Sequence, residues 1–205
     1  DSNQIGFFNA TNSNLGIDSG IVLSSGSIYD LLGPNANGSA TTSFSGAGDP
    51  TLDAVIAPDP TNDAAVLEFD FIPTSDTISF KYVFGSEEYL TWVNSSYNDV
   101  FGFFISGPGI IGPYSSPPGF PNGSENIAVV PNSTPPLPIT VSSVHPGYNG
   151  QYYNTGTTIS YNGYTDVFTA IAVVQPCETY HIRLAIADGS DDWLDSGVFL
   201  EANSF

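Results

Sequence analysis

Apolar residues recur at a spacing of two rather than three or four over most of the chain, and this period points to strands. Thr77–Phe84 alternates well: Ile78, Phe80, Tyr82 and Phe84 fall on one face, and Ser79, Lys81 and Val83 on the other. Val100–Ile105 is apolar on both faces, the pattern of a strand held between two packed layers. Val66–Phe71, Ile127–Val130, Ile139–Val144 and Gly197–Ala202 are shorter candidates. Asp166–Val174 and Tyr180–Ala187, joined by Gln175 to Glu178, predict an antiparallel hairpin with a wide loop. One short helical turn is expected over Ser27–Leu32, capped by Ser27 and stopped at Gly33-Pro34. Gly33–Pro50 and Gly107–Ser124, rich in Gly, Pro and small polar residues, read as long loops. Neither a repeat nor a charge shift divides the chain. The expectation is an all-β protein: a single antiparallel β-sandwich domain over residues 1–205, jelly-roll-like, with long Pro/Gly-rich loops.

Composition narrows the function. Two Lys+Arg stand against 21 Asp+Glu among 205 residues, a formal net charge of −19. A chain with one Lys (Lys81) and one Arg (Arg183) lacks the cationic patch that nucleic acids or anionic membranes require. There is no Gly-rich phosphate loop ending in Lys-Ser/Thr, and no apolar run of 18 residues to span a bilayer. Hydrophobic residues are nevertheless 40% of the chain, which separates it from disordered acidic tails. Only 11% of residues are charged, so Ser, Thr, Asn and Gly must make up much of the surface. That surface and the scarcity of Lys suggest a secreted, extracellular protein. The opening Asp-Ser-Asn-Gln has no signal-peptide character, so any such leader is expected to be already removed or to lie outside this sequence. Five Asn-x-Ser/Thr triplets, at Asn9, Asn37, Asn94, Asn122 and Asn132, are compatible with glycosylation. Cys177 is the single cysteine and is expected to be a buried thiol.

The carboxylates are concentrated. Glu87 and Glu88 follow one strong strand, Asp99 precedes another, and Asp188, Asp191, Asp192 and Asp195 lie between the last two. If these loop ends meet at one rim, their mutual repulsion needs a counter-charge that Lys81 and Arg183 are too few to supply. Calcium, which takes 6–8 oxygen ligands in flexible geometry, is the expected solution, with a solvated acidic loop that binds no ion as the alternative. The loop does not match the EF-hand pattern.

Catalytic patterns are weak. Neighbouring Glu87 and Glu88 would point to opposite faces of a strand, and His145 and His181 have no nucleophile elbow to serve. Trp92, Trp193 and Tyr97 lie near the acidic loops and offer an alternative, a lectin-like patch that stacks on sugar rings.

Several long motifs in order resemble the choice-of-anchor L domain family. They are SFKYVFGSEEY at Ser79–Tyr89, NDVFGFFISGP at Asn98–Pro108, GIDSGIVLSSG at Gly16–Gly26 and the Asn126-Ile-Ala triplet. The ending matches too, with CETYHIRLAIAD at Cys177–Asp188 and DSGVFLE at Asp195–Glu201. The resemblance implies a bacterial cell-surface protein and brings no enzymatic activity and no ligand set. The family usually has a further β segment before the part matching Ile5–Phe8 and an anchor or sorting segment at its end; this sequence carries neither, and the expectation is either that the early strand is missing or that the sequence is trimmed short of it. In the first case an open N-terminal edge would be available for strand addition. The expected role is a non-enzymatic structural or adhesive module that binds copies of itself, forming a filament, or other surface proteins, with glycans as the alternative partners.

Overall fold

The computed structural model describes residues 1–156 and 158–204. Twelve strands are found among them. β1 (Ile5–Asn9), β2 (Ser19–Ser24), β4 (Thr77–Ser86), β8 (Tyr153–Asn154), β9 (Gly163–Thr165), β10 (Phe168–Val173) and β12 (Ser196–Glu201) form one sheet. Its order is β1-β2-β12-β4-β9-β8, with β10 also on β4. β3 (Thr61–Phe71), β5 (Val100–Ser106), β6 (Glu125–Asn126), β7 (Ile139–Thr140) and β11 (Tyr180–Gly189) form the second, in the order β3-β11-β5-β6, with β7 also on β5. All pairings are antiparallel. The molecule is a β-sandwich.

The alternation in β4 carries through to packing. Ile78, Tyr82 and Phe84 are buried between the sheets, with Phe80 packed partly against them, while Lys81 points outward to Glu201 at 3.1 Å. β5 serves two layers. Phe101, Phe103 and Ile105 enter the inter-sheet core, whereas Val100 and Phe104 pack on the opposite face against Leu52 and Ile56. Each fully buried aromatic ring here contributes about 2–3 kcal/mol of burial. Leu52 and Ile56 belong to helix α1 (Pro50–Ile56), which covers the outer face of the second sheet. Asp49 caps it by accepting the Thr51 and Leu52 N–H groups at 3.0 Å, and Pro50 takes the first turn. A third cluster, including Leu15, Ile17, Leu31 and Ile159, lies over Val22, Val83 and Phe199 on the outer face of the first sheet.

Several expectations are corrected. β10 and β11 are not a hairpin: β10 pairs with β4, β11 pairs with β3 and β5, and the linker between them crosses from one sheet to the other. The alternation told of two strands but not of which sheet each would join. Ser27–Leu32 is a run of turns rather than a helix; the Ser27 hydroxyl does accept the Tyr29 N–H at 3.3 Å. The helix instead begins at Pro50, where the loop was expected to end. Ile127–Val130 is loop, and the strand at Ile139 stops at Thr140, where Ser143 Oγ accepts the Thr140 N–H at 2.9 Å and forms a turn. Cys177 is exposed, in the β10–β11 linker with a left-handed backbone (φ 68°).

Candidate functional site

The ends of β4, β5, β11 and β12 bring the predicted carboxylates to one rim. Glu87, Glu88, Asp99, Asp188 and Asp195 are all buried, the most exposed at only 2%. Asp191 and Asp192 are half-buried on the β11–β12 loop. The last two strands lie in different sheets, so this loop bridges the sandwich.

Donors are unevenly shared within the cluster. Asp99 Oδ1 accepts the Gly189 N–H at 2.9 Å, and its Oδ2 accepts the Ser196 hydroxyl at 2.6 Å. Glu87 Oε1 accepts the Ser160 hydroxyl at 3.1 Å. Glu87 Oε2, Glu88 Oε2 and both oxygens of Asp188 have no hydrogen-bond partner. Ser25 stands near enough to Asp188 to offset part of its shift, yet its hydroxyl is donated to the Ser196 carbonyl at 3.3 Å. Asp188 sits beside the register shift of β11, between Ile186 and Asp188, where the ladder against β3 is broken.

A strap over residues 41–46 supplies donors from outside. Asp195 accepts the Thr41 hydroxyl at 3.1 Å and the Thr42 N–H at 2.9 Å. Asp30 accepts the Thr42 hydroxyl, and Asp192 accepts that of Ser43. Asp63 accepts the Phe44 N–H at 2.7 Å and also the Gly46 N–H. Asp195 packs so closely on Gly26 that a Cβ there would lie 1.8 Å from Oδ2.

Burial pushes Glu87, Glu88, Asp99, Asp188, Asp191 and Asp195 toward their protonated forms. Glu87 rises to about 7, chiefly by burial, with the Ser160 bond opposing. Glu88 rises to about 9, by burial and then by the charges of Asp99 and Asp191. Asp195 rises to about 7 through burial, against the Thr42 and Thr41 bonds. Asp99 and Asp188 are both displaced upward, by burial first and by their neighbouring carboxylates. Asp191 is raised, again chiefly by burial. No Lys, Arg or His forms an ion pair with these groups among the described residues. Arg183 pairs with Asp49 and Glu68, Lys81 with Glu201, and His181 with Asp70 and Glu68. As they stand, no three His, Cys, Asp or Glu side chains among the described residues gather closely enough to hold a metal ion.

The model of the choice-of-anchor L domain matches residues 1–205. The chain belongs to the choice-of-anchor L domain family. Membership makes it a bacterial surface-associated module, as the resemblance implied. No curated protein and no solved structure matches it.

Other predicted residues of this choice-of-anchor L chain are placed as follows. Trp193 is 64% exposed, and Trp92 lies edge-on against Tyr97 with ring centroids 5.0 Å apart. Ser190 donates to the Ser96 carbonyl at 2.8 Å and ties their two loops together. Asn9, Asn37, Asn94, Asn122 and Asn132 are all exposed. Glu87 and Glu88 answer to different neighbours, Ser160 and Asp195 for the first, Asp99 and Asp191 for the second. The sequence reading missed Asp30, Asp63 and the strap. The Thr41-Thr42-Ser43 run was their one signal, and nothing in it points across 12 residues to Asp30 or some 150 to Asp192 and Asp195.

Proposed function

We propose that the protein is a non-enzymatic structural and adhesive module of the extracellular surface, self-associating by strand addition at β1. The observation that carries this reading is the edge itself. β1 lies at the end of its sheet, contains no charged residue, and displays Phe7 at 89% exposure. Beside Phe7 a groove of about 310 Å³ opens between the sheets, lined by Ile21, Leu67, Phe69, Phe80 and Leu200. Strand addition would supply main-chain hydrogen bonds and place alternate side chains into such a groove. A head-to-tail contact of this kind propagates into a filament when its rotation does not close. The charge of −19 opposes association at long range, and salt screens it within about 8–10 Å.

Electron microscopy and sedimentation of Phe7→Lys test the edge. Phe7 is so exposed that the fold should change by less than about 0.5 kcal/mol, while assembly is expected to be lost. Assembly equal to that of the unmodified chain would refute strand addition at β1. Dispersed particles of the unmodified chain at physiological salt would refute the filament.

A carbohydrate-binding role is the second reading, supported by Trp92 and Trp193 on linked loops. It predicts glycan-array binding that Trp92→Ala and Trp193→Ala each abolish with an unchanged circular dichroism spectrum. Binding indifferent to both removes it.

A further inference from the structure

A strand at the border of a sheet exposes main-chain N–H and C=O groups, and folds ordinarily guard it with charge, shortness or cover. The second sheet is guarded at both borders. β3 carries Asp63, Glu68 and Asp70, and Gly46 and Ala47 accept its Asp63 and Ala64 N–H groups at 3.2 and 3.0 Å. β6 and β7, at the other border, are two residues long. In the first sheet β8 is equally short. The remaining two border strands are β1, of five residues, and β10, of six, and neither holds a charge or a proline. In a chain of net charge −19, this sets them apart from the acidic border of β3.

β10 lies against β4 over Phe168–Val173 and joins no other ladder among the described residues. β8 closes the line above it, but that contact reaches only to Asp166, whose N–H donates to the Tyr152 carbonyl at 2.8 Å. Phe168, Ala170 and Ala172 turn into the core, whereas Thr169, Ile171 (57% exposed) and Val173 (76%) stand outward. These three are β-branched, the type that packs best across a strand pair.

Four antiparallel pairings separate the two borders: β1–β2, β2–β12, β12–β4 and β4–β10. Four reversals of direction leave β1 and β10 running the same way. A second copy in the same orientation therefore sets its β1 beside β10 as a parallel strand, core face matched to core face. Its Ile5 and Phe7, on the core side, come level with the small Ala170 and Ala172. Its Phe8, on the outer face, comes level with Ile171 and Val173.

We infer that the β1 edge takes as its partner the β10 edge of a second copy, so that the first sheet runs on from chain to chain. The inference rests on the reading of β1 as a self-association edge and supplies the other half of that contact. Because the two borders differ, a pair of chains still carries one open edge at each end and can grow. Each chain brings five strands to the continuous sheet, an advance of about 24 Å at the usual strand spacing. Ordinary sheet twist turns each chain by roughly 100–125° against the last.

The test is sedimentation and electron microscopy of the full chain carrying Ile171→Lys, Phe7→Lys or neither, with thermal melts to verify folding. Ile171→Lys is expected to stay monomeric at the concentration where the unmodified chain assembles, with its melting temperature unchanged. Val173→Lys takes its place should it not fold. An equimolar mixture of Phe7→Lys and Ile171→Lys then isolates the contact. The first variant keeps β10 intact and the second keeps β1, so the mixture should form a species of twice the single-chain mass and grow no further. A mixture that stays monomeric, or an Ile171→Lys chain that pairs with itself, would overturn the inference. The two readings fail separately. Normal assembly by Phe7→Lys, or an unmodified chain that stays dispersed, removes the β1 edge and this inference with it. Loss of assembly in Phe7→Lys alone, with both β10 variants assembling normally, overturns β10 as the partner and leaves β1 standing.

Discussion

Chelator-treated protein is expected to melt at a higher temperature near pH 5 than near pH 8, the reverse of ordinary acid denaturation. Glu87 and Asp195 titrate at about 7 in the folded chain, against 4.5 and 3.8 for unperturbed carboxyls, and Glu88 at about 9. Between those limits the folded state binds more protons than the unfolded one, so stability falls as pH rises. The contribution is fully present below about pH 4 and is lost progressively as pH passes through 7 and on to 9. A carboxyl displaced from 4.5 to about 7, as Glu87 is, contributes on the order of 3 kcal/mol across that window. The groups interact, so their effects will not simply add. Melts at several pH values, monitored by circular dichroism, check this. A melting temperature that rises steadily from pH 5 to 8 in the chelated chain would refute it.

Arg183→Ala is expected to be the most damaging single substitution of a charged residue. The guanidinium grips Asp49 with two nitrogens, one bond being 3.2 Å, and its Nε lies 3.4 Å from Glu68. The Asp49 side chain is only 5% exposed. It also caps α1, whose Leu52 and Ile56 cover the outer face of the second sheet. Removing the arginine leaves a buried carboxylate whose remaining partners are backbone N–H groups. The loss expected is about 3–5 kcal/mol, or roughly 6–20 °C for a domain of this size. Arg183→Lys keeps the charge but not the paired geometry, so it should fall between the two. Thermal melts decide the matter: a shift under about 2 °C for Arg183→Ala would show that water, rather than Arg183, satisfies Asp49. Asp49→Asn in the same background should recover part of the loss if the unpaired charge is its cause.

What could be read from the sequence and what could not divides along a physical line. β4 and β5 were legible because β4 alternates along its length and β5 is apolar on both faces, properties local to each strand. The assignment of β10 and β11 to different sheets was not, because both sheets accept the same alternation and the choice is made by distant partners. α1 escaped because seven residues give too little helical period, although Asp49-Pro50 carried its start signal. At the rim, Glu87, Glu88, Asp99, Asp188 and Asp195 were found through their density at strand ends, and the fold buries all five. Asp191 and Asp192 share the loop but not its burial. The strap was invisible, since its contacts rest on main-chain N–H groups and hydroxyls that any polar loop possesses.

Cys177, exposed in the β10–β11 linker, gives each chain a covalent valence of one. Oxidation can join two chains through it and then has nothing left to react. A non-reducing gel of fully oxidised material should therefore stop at the dimer. Any longer array built from this chain must rest on contacts that dissociate in detergent, and the thiol remains a unique point for attaching a label, at the end of β11 away from the acidic rim.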